Sequence, residues 1–147
     1  MYPLKRNRRL RSSDAIRSLV QENHLSPDDF IVPLFIVEGT NIKEEISSMP
    51  DYYRMSLDNL KKEVKELYSM GLKTVLLFVK VPDNLKDNKG TEALNPKGLM
   101  QRAIVLIKET IPDMVIMTDV ALDPYSSFGH DGIVDQGTIV NDATLDV

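Results

Sequence analysis

Apolar positions along the chain follow two periods that alternate. Three runs, Phe30–Val37, Thr74–Val81 and Met114–Val120, are continuous stretches rich in β-branched and aromatic residues, which is the pattern of strands. Between them the spacing changes to that of a helix. Leu57, Leu60, Val64, Leu67 and Tyr68 form one such stripe, opened by Ser56 with Asn59 at the capping-box position and stopped by Gly71. Leu99, Ala103, Leu106 and Ile107 form a second. Asn95-Pro96 is expected to open that helix with proline at its first position, and Ile111-Pro112 to end it. Asn141-Asp142 reads as one more cap, with Ala143–Val147 as the first turn that follows.

Uninterrupted apolar strands are expected to be buried on both faces, as in parallel sheets covered by helices. They recur roughly 40 residues apart, which suits β/α units with long loops. The class is therefore α/β, either doubly wound or a piece of a (β/α)8 TIM barrel. A whole barrel takes about 250 residues, so only the first three β/α units fit here. A single helical turn is hard to nucleate. The expectation is a chain that forms the N-terminal part of something longer, with an arm over residues 1–29 and a partial barrel over residues 30–147.

Composition narrows the chemistry. Of 147 residues 42% are hydrophobic, enough for a core, and none is cysteine, which excludes disulfides, thiolate metal sites and a cysteine nucleophile. No apolar run approaches the ~20 residues of a membrane helix, and the basic start is not a secretory leader; a cytoplasmic protein is expected. The net charge of −4 is unevenly spread. Residues 1–17 hold Lys5, Arg6, Arg8, Arg9, Arg11 and Arg17 against Asp14, so the rest stands near −9. A basic arm on an acidic body suits docking on an acidic surface such as a second copy of the chain. Nucleic acid is the weaker reading, because the body repels phosphate and Tyr2 is the arm's one aromatic residue.

In β/α folds reactive groups gather at the carboxyl ends of strands. Three places qualify: Glu38-Gly39, Lys80, and the stretch from Thr118 to Gly132. The third carries Asp119, Asp123 and Asp131, with His130 beside the last and hydroxyls on Tyr125, Ser126 and Ser127. Clustered carboxylates can hold a hard cation or orient a lysine. The plainer reading is a turn at Asp123-Pro124, positive φ at Gly129 and Gly132, and aspartates capping local backbone. Lys80, flanked by Phe78, Val79 and Val81, is either a desolvated Schiff-base nucleophile or a snorkelling rim residue, with the second preferred.

Several blocks together resemble porphobilinogen synthase, the δ-aminolevulinic acid dehydratase family. They are Arg8–Arg11, Leu25–Asp29, Pro33–Gly39, Ser48-Met49-Pro50, Asn95-Pro96 with Gly98-Leu99, Gln101–Ile104, and Asp119–Gly132. The resemblance implies a (β/α)8 barrel whose N-terminal arm, here with Arg8, Arg9 and Arg11, embraces a neighbour in a homo-octamer. It implies condensation of two 5-aminolevulinate molecules to porphobilinogen, in tetrapyrrole (haem) synthesis, through two Schiff-base lysines that lie beyond this sequence. Lys80 matches neither. Asp119 matches the family aspartate that ends strand three. Ala121, Asp123 and Asp131 stand where many members carry zinc-binding cysteines, as in the magnesium-responsive branch. That implies catalytic roles for Asp119, Asp123 and Asp131, substrate contacts from Tyr125 and Ser126, and no zinc-cysteine site. Asp123 and Asp131 are weak candidates for Mg²⁺, since the branch's allosteric Mg²⁺ takes its ligands mainly from the later half. Phe128 departs from a common histidine. Two other readings stand beside this one: a non-catalytic chain acting in oligomer assembly, and a class I aldolase-like barrel using Lys80.

Overall fold

A computed structural model describes Leu4 and residues 8–147. Tyr2, Lys5 and Arg6 of the basic segment lie outside the described residues. The sheet is built from β1 (Ile31–Val37), β2 (Lys43–Glu45), β3 (Tyr53–Met55), β4 (Thr74–Lys80) and β5 (Val115–Thr118), in the order β2-β3-β1-β4-β5. β3, β4 and β5 run parallel to their partners and only β2 is antiparallel. Helices α2 (Leu57–Ser69) and α3 (Leu99–Thr110) connect the parallel strands. Before the sheet stands α1 (Asp14–Leu19), its first turn capped by Ser13, whose hydroxyl accepts the Ile16 amide at 3.2 Å. After it come a two-stranded hairpin, β6 (Val134–Asp135) and β7 (Thr138–Ile139), and the short α4 (Asn141–Leu145). The class is α/β with a mostly parallel sheet.

The helical stripes do what their spacing predicts. Leu60, Val64 and Leu67 of α2 and Leu99, Ala103 and Ile107 of α3 are buried against Leu34, Ile36, Val75 and Leu77 of the sheet. Burying each large aliphatic side chain contributes about 1.5–3 kcal/mol, so this one interface holds the fold. Gly71 ends α2 as expected. It adopts φ +90°, and the Leu72 amide turns back to the Leu67 carbonyl at 3.0 Å, a geometry that residues with a Cβ resist.

Three local expectations are corrected. Ser56 precedes α2, but its hydroxyl does not cap the helix. It accepts the Ile42 amide at 2.9 Å and donates to Asp58, while the Asn59 amide group donates to the Ile42 carbonyl at 3.0 Å. Both residues of the supposed capping box thus satisfy the backbone of a neighbouring loop. Pro96 does not open α3. The Asn95 side chain accepts the Lys97 amide at 2.9 Å in a local turn, and the helix begins after Gly98. The strands, finally, are buried on one face only. Residues on the helix side are buried. On the other side Pro33, Phe35, Leu76 and Phe78 are half-exposed, and Val115 and Met117 are 53% and 44% exposed. Continuous hydrophobicity had predicted cover on both sides, and no element among the described residues supplies the second layer.

Candidate active site

Because β1, β3, β4 and β5 point the same way, their carboxyl ends meet along one rim of the open face. Register sets who stands there. Phe35 lies opposite Arg54 on one side and Phe78 on the other, and Val37 lies opposite Lys80. The Asp119 amide still reaches the Leu77 carbonyl at 3.4 Å, so the first residue beyond β5 is placed by the sheet ladder. Phe35 and Phe78 stack at 5.1 Å, and Tyr52 meets Phe35 edge-on at 5.9 Å. The Tyr52 hydroxyl donates to the Pro33 carbonyl, which fixes β3 against β1.

Two loops rise above this rim, one after β4 and one after β5, and backbone bonds stitch them together. The Asp87 amide donates to the Tyr125 carbonyl at 3.2 Å and the Ser127 amide to the Asp87 carbonyl at 2.9 Å. The Asn88 side chain pairs with both backbone groups of Val134, at 2.9 and 2.8 Å, as a strand would. Below them opens a cavity of 380 Å³, within the range of small-molecule sites. Phe35 and Phe78 form its apolar wall. Arg54, Lys80, Lys86, Asp119, Asp123 and Tyr125 supply its polar groups.

Asp119, Asp123 and Tyr125 are thus brought to one cavity. Asp123 is exposed as a whole residue, yet partial burial of its carboxyl, then the charges of Asp131 and Asp119, hold its pKa above the ordinary carboxylate value, with Lys86 pulling the other way. Burial, then Glu92 and Asp119, raise Tyr125, so its phenol is an O–H donor at neutral pH. Ser126 is buried, and its hydroxyl accepts the Phe128 amide at 3.2 Å instead of lining the cavity. Asp131 is also outside the lining. One of its carboxylate oxygens accepts the Leu122 amide at 2.8 Å and the Asp123 amide at 3.0 Å. His130 and Phe128 are exposed beyond the cavity. Gly129 has the expected positive φ of +67°, but Gly132 does not. Gly132 serves space, since a Cβ there would meet Ile139 at 2.6 Å. Glu38 turns away to pair with Arg102. Arg8, Arg9 and Arg11 are exposed on the N-terminal segment.

A Mg²⁺ ion needs several oxygen ligands in octahedral array. Among the described residues no three acidic, histidine or cysteine side chains are placed to hold a metal. The Asp131 charge acts on Asp123, and one oxygen of Asp131 is already committed to two amides. The residues present do not fit a Mg²⁺ site.

The family model for delta-aminolevulinic acid dehydratase matches residues 4–147. The chain belongs to that family. It is 47% identical to the delta-aminolevulinic acid dehydratase of Chlamydia pneumoniae, over 96% of this chain and 42% of that protein. For the Bacillus subtilis (strain 168) enzyme the values are 46%, 97% and 43%. For the chloroplastic protein of Glycine max they are 50%, 96% and 34%. Among solved structures, the Toxoplasma gondii ME49 delta-aminolevulinic acid dehydratase (porphobilinogen synthase), in complex with the reaction product porphobilinogen, superposes with a TM-score of 0.91. It is 48% identical, over 99% of this chain and 42% of that one. The chain therefore spans less than half the length of these relatives. Membership was legible from the ordered motif blocks. Arg54 and Lys86 were missed: the first sits in a strand of three residues, the second in a loop without periodicity.

Proposed function

We propose that this span is the N-terminal portion of a porphobilinogen synthase, forming the arm and first three β/α units of a (β/α)8 barrel and contributing one wall of its active site. The observation that carries the reading is the mixed-charge cavity at the carboxyl ends of the parallel strands, in a chain of this family. The substrate, 5-aminolevulinate, carries an ammonium at one end and a carboxylate at the other. Asp119 and Asp123 suit the ammonium, and Arg54, Lys80 and Lys86 suit the carboxylate. Tyr125 can donate to a carbonyl oxygen. The condensing carbonyls become electrophilic iminium ions on two lysines that the family resemblance places outside this sequence. This span binds, orients and moves protons; it does not turn over alone. Asp119 and Asp123 act as carboxylates, and the Mg²⁺ implied by the resemblance is assigned to ligands outside this chain. The homo-octamer, with Arg8, Arg9 and Arg11 on a neighbour, and the cytoplasmic setting belong to the same proposal. No described helix is long and apolar enough to cross a membrane.

The test joins residues 1–147 in frame to the remaining portion of the Bacillus subtilis relative and assays pyrrole formation from 5-aminolevulinate. Turnover by the joined protein, none by the isolated chain, and loss with Asp119→Asn are expected. A folded joined protein that makes no pyrrole, or turnover by the isolated chain, refutes the reading. The aldolase reading keeps one observation in its favour, that Lys80 lines the cavity. Borohydride trapping with candidate aldehydes and peptide mapping decides it.

A further inference from the structure

The loops after β4 and β5 carry the polar end of the cavity, and one residue joins them. Asp87 follows Lys86 in the first loop and does not itself line the cavity. One oxygen of its carboxylate accepts the Lys89 amide at 2.9 Å and the Thr91 amide at 3.0 Å, and its carbonyl accepts the Gly90 amide at 3.4 Å. Thr91, through its side chain and then its amide, holds the Asp87 carboxyl below the ordinary carboxylate value, so it is an acceptor at neutral pH. These bonds fold residues 87–91 into a tight turn. The turn sets Gly90 at φ +63° against the second loop, so close that a Cβ there would stand 3.1 Å from Leu122 and 3.5 Å from Tyr125. The main chain of Asp87 completes the junction. Its amide donates to the Tyr125 carbonyl at 3.2 Å, and its carbonyl accepts the Ser127 amide at 2.9 Å, a parallel bridge that straddles Ser126. Tyr125 is thus held on the bridge by its own carbonyl, while its side chain is 7% exposed and lines the cavity. We propose that Asp87 is a positioning residue: its carboxylate folds the turn, the turn keeps the bridge to the neighbouring loop closed, and the bridge sets the Tyr125 side chain at the cavity. This rests on the reading of the cavity as an active-site wall, but the bridge itself is tested without turnover.

The turn needs an oxygen acceptor at residue 87, which Asp87→Asn keeps and Asp87→Ala removes. Amide hydrogen exchange on the 147-residue chain reads the consequence at two distances. In Asp87→Ala, Lys89 and Thr91 lose their acceptor and should exchange at least about tenfold faster, the effect of one bond to a charged group each. Ser127 decides the proposal. Its acceptor is the main-chain carbonyl of residue 87, which the substitution leaves in place, so Ser127 accelerates only if the carboxylate holds the bridge. An acceleration of about fivefold or more is expected there, with Leu77 and Val79 in β4 unchanged and protection close to wild type in Asp87→Asn. Unchanged exchange at Ser127 in Asp87→Ala overturns the proposal, as does Asp87→Asn exchanging as fast as Asp87→Ala. In the joined enzyme Asp87→Ala should lower kcat about tenfold with KM within about threefold, and Asp87→Asn should restore most of it. Tyr125→Phe should lower kcat as well, and Asp87→Ala should add less than about twofold to that loss. Losses that multiply, or a Tyr125→Phe enzyme as fast as wild type, reject action through Tyr125. A wild-type joined enzyme without pyrrole formation would sink the assigned function, and Ser127 exchange would still decide the bridge.

Discussion

Asn88 ties the loop after β4 to a strand 46 residues later, and replacing it with alanine isolates what that tie contributes. Its side-chain amide donates to the Val134 carbonyl at 2.8 Å and accepts the Val134 amide at 2.9 Å, in a half-buried setting. Each such bond has a net worth of about 1 kcal/mol, so Asn88→Ala removes about 2 kcal/mol of local stability. At 1.4 kcal/mol per factor of ten, this is about a 30-fold rise in the local opening constant. The effect should stay local, because the hairpin of β6 and β7 contributes nothing to the buried core. Hydrogen exchange read residue by residue is the assay. Val134 should exchange about 30-fold faster, and Leu77 and Val79 in β4 at their old rates. Asn88→Asp should be at least as damaging, since it keeps the acceptor but sets a carboxylate against the Val134 carbonyl. A change at Val134 below about threefold, or equal acceleration in β4, refutes the idea that this side chain substitutes for a strand partner.

Three further outcomes follow from burial and charge. Ile107→Ala empties a fully buried position under the sheet, and urea titration should show a loss of about 2–5 kcal/mol. Glu38→Gln breaks the pair with Arg102 at the surface, and the same titration should change by less than about 1 kcal/mol, with the difference shrinking in high salt. Asp123→Asn should stabilise the chain at neutral pH. The folded state raises the Asp123 pKa, so it binds that proton more tightly than the unfolded chain. Stability therefore falls as pH climbs from the unfolded to the folded pKa, and above both the ionised group is a net cost. Solvent screens this exposed residue, so the gain stays below about 1 kcal/mol at pH 7 and vanishes near pH 3. A less stable variant at pH 7 would contradict the assigned cause.

The parts of the fold that the sequence disclosed are those where burial dictates residue type. β1 and β4 lie within a residue of their apolar runs, and α2 sits between Ser56 and Gly71, because a helix stripe facing a sheet tolerates little but aliphatic side chains. β5 is shorter than its run: it begins at Val115, and beyond Thr118 only the Asp119 amide still reaches β4 before the chain turns into the loop. β2 and β3 escaped notice for the opposite reason. Three residues each, with Lys43, Glu44, Glu45 and Arg54 among them, they have no periodicity, and β3 is fixed by tertiary features instead: the register of Phe35 with Arg54 and the Tyr52 bond to Pro33. The site divides in the same way. Asp119 was legible from its place after a strand. Asp131 and Ser126 stand outside the cavity lining and accept backbone amides, a placement that composition does not distinguish from one facing a ligand.

The two faces of the sheet explain why stability and chemistry separate in this chain. Alternation along β4 sends Val75, Leu77 and Val79 into the helix layer and Leu76, Phe78 and Lys80 to the open side. The first set is held in place by packing within the buried core. The second set can carry charge because water still reaches it, which keeps the cost of placing Arg54, Lys80 and Asp119 on one rim small. Covering that face with further elements would remove the water and strengthen every charge interaction on the rim. The opposed signs at the rim would then matter more than they do now. Asp119 and Asp123 would remain tolerable beside each other only with cations close by; within this chain Lys86 offsets only a small part of the rise that burial, Asp131 and Asp119 impose on the Asp123 pKa.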